Sequence, residues 1–304
     1  MEQTMNEERA RILKLLEDGK ITAQDAERLL LAVKGQTSLG PDGIRVKMFR
    51  HRHPWPDIAH IVENATRSAR RGQGDELRQR FEVTSGSRLK VRNISGDVSI
   101  SSWPEPRIEV AAEEGGLSRA RAVENEVVAK ALSGELTVSA PSDIELEVGT
   151  VSGNIEVQGQ FNRVRLRTVS GDITAQDIRQ EIEIASASGD ISLQEVQGRC
   201  QITSVSGDVV IGVNGDLSGS LESKSGDIQV SVPAQANLLI EAEITGRGEI
   251  VNHTRTAVEL TPTDEHHLSL RFSNGGHRLR IVSRDGDIEI IEGASGFSAA
   301  RTDN

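Results

Sequence analysis

The sequence predicts a mainly β protein, a β-solenoid of about ten coils of 18–19 residues preceded by a small α-helical hairpin. Two observations carry that expectation. A Ser-Gly-Asp tripeptide returns at a nearly constant interval, and an alternating apolar/polar run follows each copy. A third agrees with them: five Phe, two Trp and no Tyr stand among 304 residues. A narrow core of stacked Ile, Val and Leu has no need of large rings.

The helical element comes first. From Asn6 to Val33 the apolar residues fall at helical spacing, with Ile12, Leu15 and Leu16 on one stripe and Ala26, Leu29, Leu30 and Val33 on the next. Gly19 ends the first helix, and Thr22 opens the second with Asp25 three residues on. Helices this short need a partner surface, because nucleation is costly. The hairpin is therefore expected to dock on itself in a homo-oligomer, on the repeat domain, or on a protein partner.

A basic stretch follows. Ile44 to Arg71 carries Arg45, Lys47, Arg50, Arg52, Arg67, Arg70 and Arg71 against Asp57 and Glu63, a local +5 within a chain of net charge -11. Pro54-Trp55-Pro56 interrupts it, and Ile58, Ile61, Val62 and Ala65 then return to helical spacing. Arg45, Lys47, Arg50, Arg52 and Trp55 are the candidate contacts to an anionic membrane surface or a membrane-associated partner. A solvated linker, or a strip held against the acidic repeat domain, is the plainer reading of the same residues.

The repeat carries most of the information. Its turn residues are Gly96-Asp97, Gly153-Asn154, Gly171-Asp172, Gly189-Asp190, Gly207-Asp208, Gly226-Asp227 and Gly286-Asp287, with Gly134-Glu135 a weaker copy. From Gly134 the steps are 19, 18, 18, 18 and 19 residues. Gly115 and Gly246 fall where further coils would complete the longer intervals. After each turn comes one alternating run, such as Ile173/Ala175 or Ile191/Leu193, and later a second, such as Ile182/Ile184 or Cys200/Ile202. Two strands and two turns in so few residues leave no room for a crossover helix. Stacked coils then pair along their edges at about 4.8 Å each. Gly supplies the positive φ, Asp and Ser bond nearby amides, and Thr150, Thr168, Ser186, Ser204 and Ser223 form a small-hydroxyl column beneath the bend. The charged runs Arg88–Arg92 and His277–Ile281 are expected as end strands, their charges opposing edge-to-edge association. Leu117 to Lys130, polar and irregular, reads as an excursion with helical character. The boundaries are thus 1–35 for the hairpin, 36–80 for the basic linker with a short helix, 81–292 for the repeat domain and 293–304 for a disordered tail.

Composition narrows the function. The net charge opposes nucleic-acid binding. One cysteine, Cys200, excludes an internal disulfide and reads as core. The charged opening is not that of a secretory signal, and no apolar run approaches ~18 residues; the chain is expected in the cytoplasm or peripheral at the cell envelope. The Asp ladder invites a calcium reading, but only one turn per coil bears the motif, so structural turns explain it better. His253, His266, His267 and His277 gather late without metal-ligand spacing. No catalytic residue, metal site or cofactor is expected.

The repeated Thr/Ser-x-Ser-Gly-Asp-Ile runs, ending in Asp285-Gly286-Asp287-Ile288, resemble the adhesin-type β-strand-repeat family, domain of unknown function 4097. Glu7-Glu8-Arg9 through Leu15-Leu16-Glu17-Asp18-Gly19-Lys20-Ile21-Thr22 to Ala26-Glu27-Arg28-Leu29-Leu30 is similar to the SHOCT-like N-terminal domain. The pairing resembles the LiaX and YvlB group, which implies a bacterial protein linked to cell-envelope stress with no catalytic residues to carry over. The function expected is a non-enzymatic β-solenoid scaffold or binding protein. The alternative is a polysaccharide-binding or polysaccharide-active β-helix.

Overall fold

The computed structural model describes residues 78–112, 117–260 and 266–293. The hairpin, the basic stretch and the tail lie outside the described residues. So does Gly115.

The described chain is mainly β, and its strands run in order as follows. They are β1 (Gln79–Glu82), β2 (Arg88–Ser95), β3 (Val98–Trp103), β4 (Arg107–Ala112), β5 (Leu117–Val123), β6 (Glu126–Ala131) and β7 (Leu136–Pro141). Next come β8 (Glu145–Ser152), β9 (Ile155–Gln158), β10 (Arg163–Ser170), β11 (Ile173–Gln176), β12 (Glu181–Ser186), β13 (Ile191–Ser204) and β14 (Val209–Ser225). The last are β15 (Ile228–Val232), β16 (Leu238–Arg247), β17 (Ile250–His253), β18 (Val258–Glu259), β19 (His267–Arg271), β20 (His277–Asp285) and β21 (Ile288–Glu292).

The alternation in each run decides which side is buried. Parallel pairing then stacks equivalent residues in columns along one solenoid-like sheet. On the first face Val164 stands opposite both Leu146 and Ile182, and Ile182 opposite Cys200. On the second, Ile155, Ile173, Ile191, Val209, Ile228 and Ile288 follow one another. These columns meet in a single aliphatic core. Cys200 is part of it, and burial pushes its thiol up to about 12.

The order of the coils departs from expectation. Among the described residues nine coils stack, and at both ends the spatial order breaks from the chain order. The β2–β3 coil lies between β6–β7 on one side and β8–β9 on the other. The β20–β21 coil lies between β14–β15 and β16–β17. Arg88–Arg92 and His277–Ile281 are therefore interior strands, with neighbours on both edges. Their charges are matched across one edge of each, by Glu145 and Glu147 on β8 and by Glu241 and Glu243 on β16. The ends are closed by antiparallel strands instead: β5 on β6, β4 on β7 and β1 on β4 at one end, β19 on β16 and β18 on β19 at the other.

Two further expectations are corrected by the same finding. Leu117–Lys130 contains no helix; it forms the β5–β6 hairpin, whose inward side buries Val127 and Ala129. Gly246 is not the turn glycine of its coil. It lies within β16, and Gly248 takes the turn with a φ of 136°. The 38-residue intervals Gly96 to Gly134 and Gly248 to Gly286 each hold one coil plus an antiparallel excursion, not two coils.

Candidate functional site

Three lattices of side chains emerge from the stack, and each could meet a partner. The first is the edge formed by the Ser-Gly-Asp turns. Gly171 explains why glycine is required there. Its φ is 133°, and an added Cβ would lie 2.1 Å from the carbonyl oxygen of Gly153 in the coil beside it. The same approach to a neighbouring glycine recurs at Gly96, Gly153, Gly189, Gly207, Gly226, Gly286 and Gly248. Beneath the bend Thr150, Thr168, Ser186, Ser204, Ser223 and Ser283 are buried in one column, and Asn93 replaces the hydroxyl in the β2 coil. Asn93 fits because its Nδ2 donates to the Gly96 carbonyl at 2.8 Å.

The Asp residues of this edge form a hydrogen-bond relay. Asp97 Oδ1 accepts from the Asn154 amide at 2.8 Å, and Asn154 Oδ1 accepts from the Asp172 amide at 2.9 Å. Asp172, Asp190 and Asp208 each accept from the next Asp amide at 2.9 Å. Asp227 then accepts from Asp287, and Asp287 from Glu249. Each carboxylate satisfies an amide that the neighbouring turn leaves unpaired. Asn154 serves because the relay uses a single carbonyl-type oxygen. Asp190→Ala is expected to cost about 1 kcal/mol by orphaning the Asp208 amide. Asp190→Asn should be nearly silent, and urea unfolding of the two variants checks both.

The second lattice covers the outer side of the first face, where charge alternates from coil to coil. Arg88, Glu145, Arg163, Glu181 and Arg199 occupy successive places in one column. Arg163 lies 2.6 Å from Glu181 and 3.5 Å from Glu145. The hydrogen bond from Arg88 is the main reason Glu145 titrates below the usual carboxylate range, with burial working against it. Alternating signs satisfy the rule that like charges directly opposite destabilise a sheet. Sequence reading passed over this lattice, although the first residue of each 18-residue period visibly switches sign.

The third lattice is the outer side of the second face, and it is nearly uncharged. Ser99, Ser101, Gln158, Thr174, Gln176, Ser192, Gln194 and Gln229 alternate with core residues; Glu156 and Glu289 are acids of the stacked coils, and Glu109 lies on the β4 strand that closes this face. Hydroxyls and amides thus recur along the coils, with Val210 interrupting them between Ser192 and Gln229.

The late histidines do not converge. His253 Nε2 lies 3.2 Å from Glu289, whereas His277 Nε2 faces Asp216 at 3.3 Å. Among the described residues no three His, Cys, Asp or Glu side chains form a metal-binding group, and no helix is long and apolar enough to cross a membrane. Arg45, Lys47, Arg50, Arg52 and Trp55 lie outside the described residues.

Residues 158–291 match the Toastrack DUF4097 family and residues 7–37 match the SHOCT-like domain. No curated protein matches the chain. Among solved structures, a candidate cell adhesion protein from Clostridium sporogenes aligns at 12% identity and a TM-score of 0.36, covering 72% of this chain and 100% of that one. A candidate adhesin from Bacteroides fragilis aligns at 12% identity and a TM-score of 0.40, covering 72% and 98%. The repeat region of this chain is thus similar to the Toastrack DUF4097 family over residues 158–291, and residues 7–37 are similar to the SHOCT-like domain.

Proposed function

We propose that the chain is a non-enzymatic scaffold of the bacterial cell-envelope stress response, peripheral at the envelope or in the cytoplasm. Its SHOCT-like segment makes an oligomer or partner contact, and its repeat domain is a rigid presenting surface. One observation carries this reading: equivalent residues stack in columns across nine coils of the described residues, with only local register shifts in β13–β14 and β16–β20, so both faces are regular. Such a surface favours repeated, distributed contacts over a single reaction centre. Arg45, Lys47, Arg50, Arg52 and Trp55, between the two parts, are assigned to a membrane or a membrane-associated partner through charge and the amphipathic Trp ring.

Light scattering on the full chain and on a fragment lacking residues 1–37 tests the assembly. The full chain is expected to be oligomeric and the fragment monomeric. Monomers in both cases would remove the hairpin from the account.

A second reading is favoured by the neutral third lattice. Ser, Thr and Gln side chains at one spacing suit a neutral polysaccharide lying along the stack, one sugar ring for about each coil. A glycan array combined with a reducing-end release assay separates the two readings. Binding without release would favour a polysaccharide-binding surface, release would make the protein polysaccharide-active, and neither would leave the scaffold reading alone.

A further inference from the structure

The alternation of charge on the first face fails at one place, and it fails in one direction. At the β5–β6 end Arg119 stands opposite Lys130, and Lys130 stands opposite Arg92. One column over, Arg121, Val128 and Lys90 follow in register. Arg92 and Lys90 share one carboxylate, Glu147, at 3.0 and 3.2 Å. Arg119, Arg121 and Lys130 have no carboxylate within ion-pair distance among the described residues. Three adjacent strands thus hold like charges side by side, an arrangement that costs stability and that this face avoids elsewhere. Burial first, and then the charges of Arg121, Arg92, Lys90 and Arg119, hold the Lys130 ammonium below its ordinary value.

Two independent observations sit beside these cations. The column continues from Arg92 to Gly149 and then to Arg167. Gly149 has no positive φ, and a Cβ added there would meet nothing within 4 Å. Neither conformation nor crowding requires glycine in this strand, where glycine is unfavourable. Gly149 is buried, and its missing side chain leaves a gap between the two arginines that flank it in register. The Nε of Arg167, moreover, is buried without an acceptor, while its Nη2 donates to Glu183 at 3.2 Å.

We propose that this patch binds a phosphate-bearing polyanion, with Arg119, Lys130, Arg92 and Arg167 around the Gly149 gap and Arg121 and Lys90 beside it. Guanidinium forks match phosphate oxygens in pairs, and the Lys ammonium adds a compact charge. Arg119, Lys130 and Arg92 span only two strand spacings, roughly 10 Å, so the ligand carries two or more phosphates close together. The inference does not depend on the hairpin assembly, and its test reads a different quantity.

The test uses the full chain at low salt with inorganic tripolyphosphate as probe. The readout is the rate of chemical acetylation at Lys130, followed by mass spectrometry, so the separate basic stretch at 44–71 does not confuse it. Tripolyphosphate is expected to protect Lys130, and high salt to abolish the protection. Joint Arg119→Glu and Arg121→Glu substitution should raise the protecting concentration roughly tenfold. Gly149→Val fills the gap; it should weaken protection while leaving the melting temperature undiminished, which a purely structural role would not produce. Phosphatidylglycerol vesicles form a second arm: protection by vesicles as well assigns the phosphates to a lipid surface, and protection by tripolyphosphate alone to a soluble ligand. Absence of protection in both arms, or equal protection of the wild type and the double variant, overturns the proposal.

Discussion

Gly171→Val is expected to abolish cooperative folding of the repeat domain. The new Cβ would lie 2.1 Å from the Gly153 oxygen and 2.6 Å from its carbonyl carbon, both backbone atoms of a coil that is itself fixed on the other side. Nothing flexible can yield. The φ of 133° adds a conformational penalty that no β-branched residue tolerates. Clash and strain together should exceed about 4 kcal/mol, a large share of the 5–15 kcal/mol that holds a typical domain together. Gly149→Ala is the control: with ordinary φ and open space, it should gain about 0.4–1 kcal/mol. Thermal and urea unfolding of both variants decides the matter. A Gly171→Val protein that melts within a few degrees of the wild type would show that the glycine column is not a steric requirement.

Ending the chain after Gly276 is expected to have an equally large effect, although it removes only the last coil in sequence. That coil is the inserted layer between β14–β15 and β16–β17. Its Leu279, Ile281, Ile288 and Ile290 are fully buried. At ~1.5–3 kcal/mol for each side chain, their loss approaches the whole stability of a domain. The β16–β17 coil would also lose its parallel neighbour. The truncated chain should show a broadened or absent thermal transition by circular dichroism. A synthetic peptide of residues 277–293, added in excess, should restore the transition by filling the slot. A sharp wild-type melt without the peptide would mean that the neighbouring coils close up without this layer.

The coil itself was legible in the sequence because its causes are local. Alternation in Ile173/Ala175 or Ile182/Ile184 sets the buried side, and a Gly-Asp pair marks each reversal. The anion patch was not legible. Arg92, Arg119 and Lys130 are separated by up to 38 residues, and only the pairing of β5, β6 and β2 brings them together. Nor did Gly149, one glycine among 29, announce that it lies outside the turn column.

What the sequence determined by itself was the repeating unit, its two strands, its turn and its aliphatic core. Which coil stacks on which was decided only by the tertiary structure. Every coil offers the same backbone edge to the next, so periodicity cannot rank the partners. The chain passes over one layer between β7 and β8, where β2–β3 already lies, and leaves one open between β15 and β16, which β20–β21 then fill, so that each of these coils is lodged a layer inside. Hydrogen bonding along both edges and burial of both aliphatic rows favour that arrangement, because it leaves the outermost parallel strands of the first face covered by antiparallel ones.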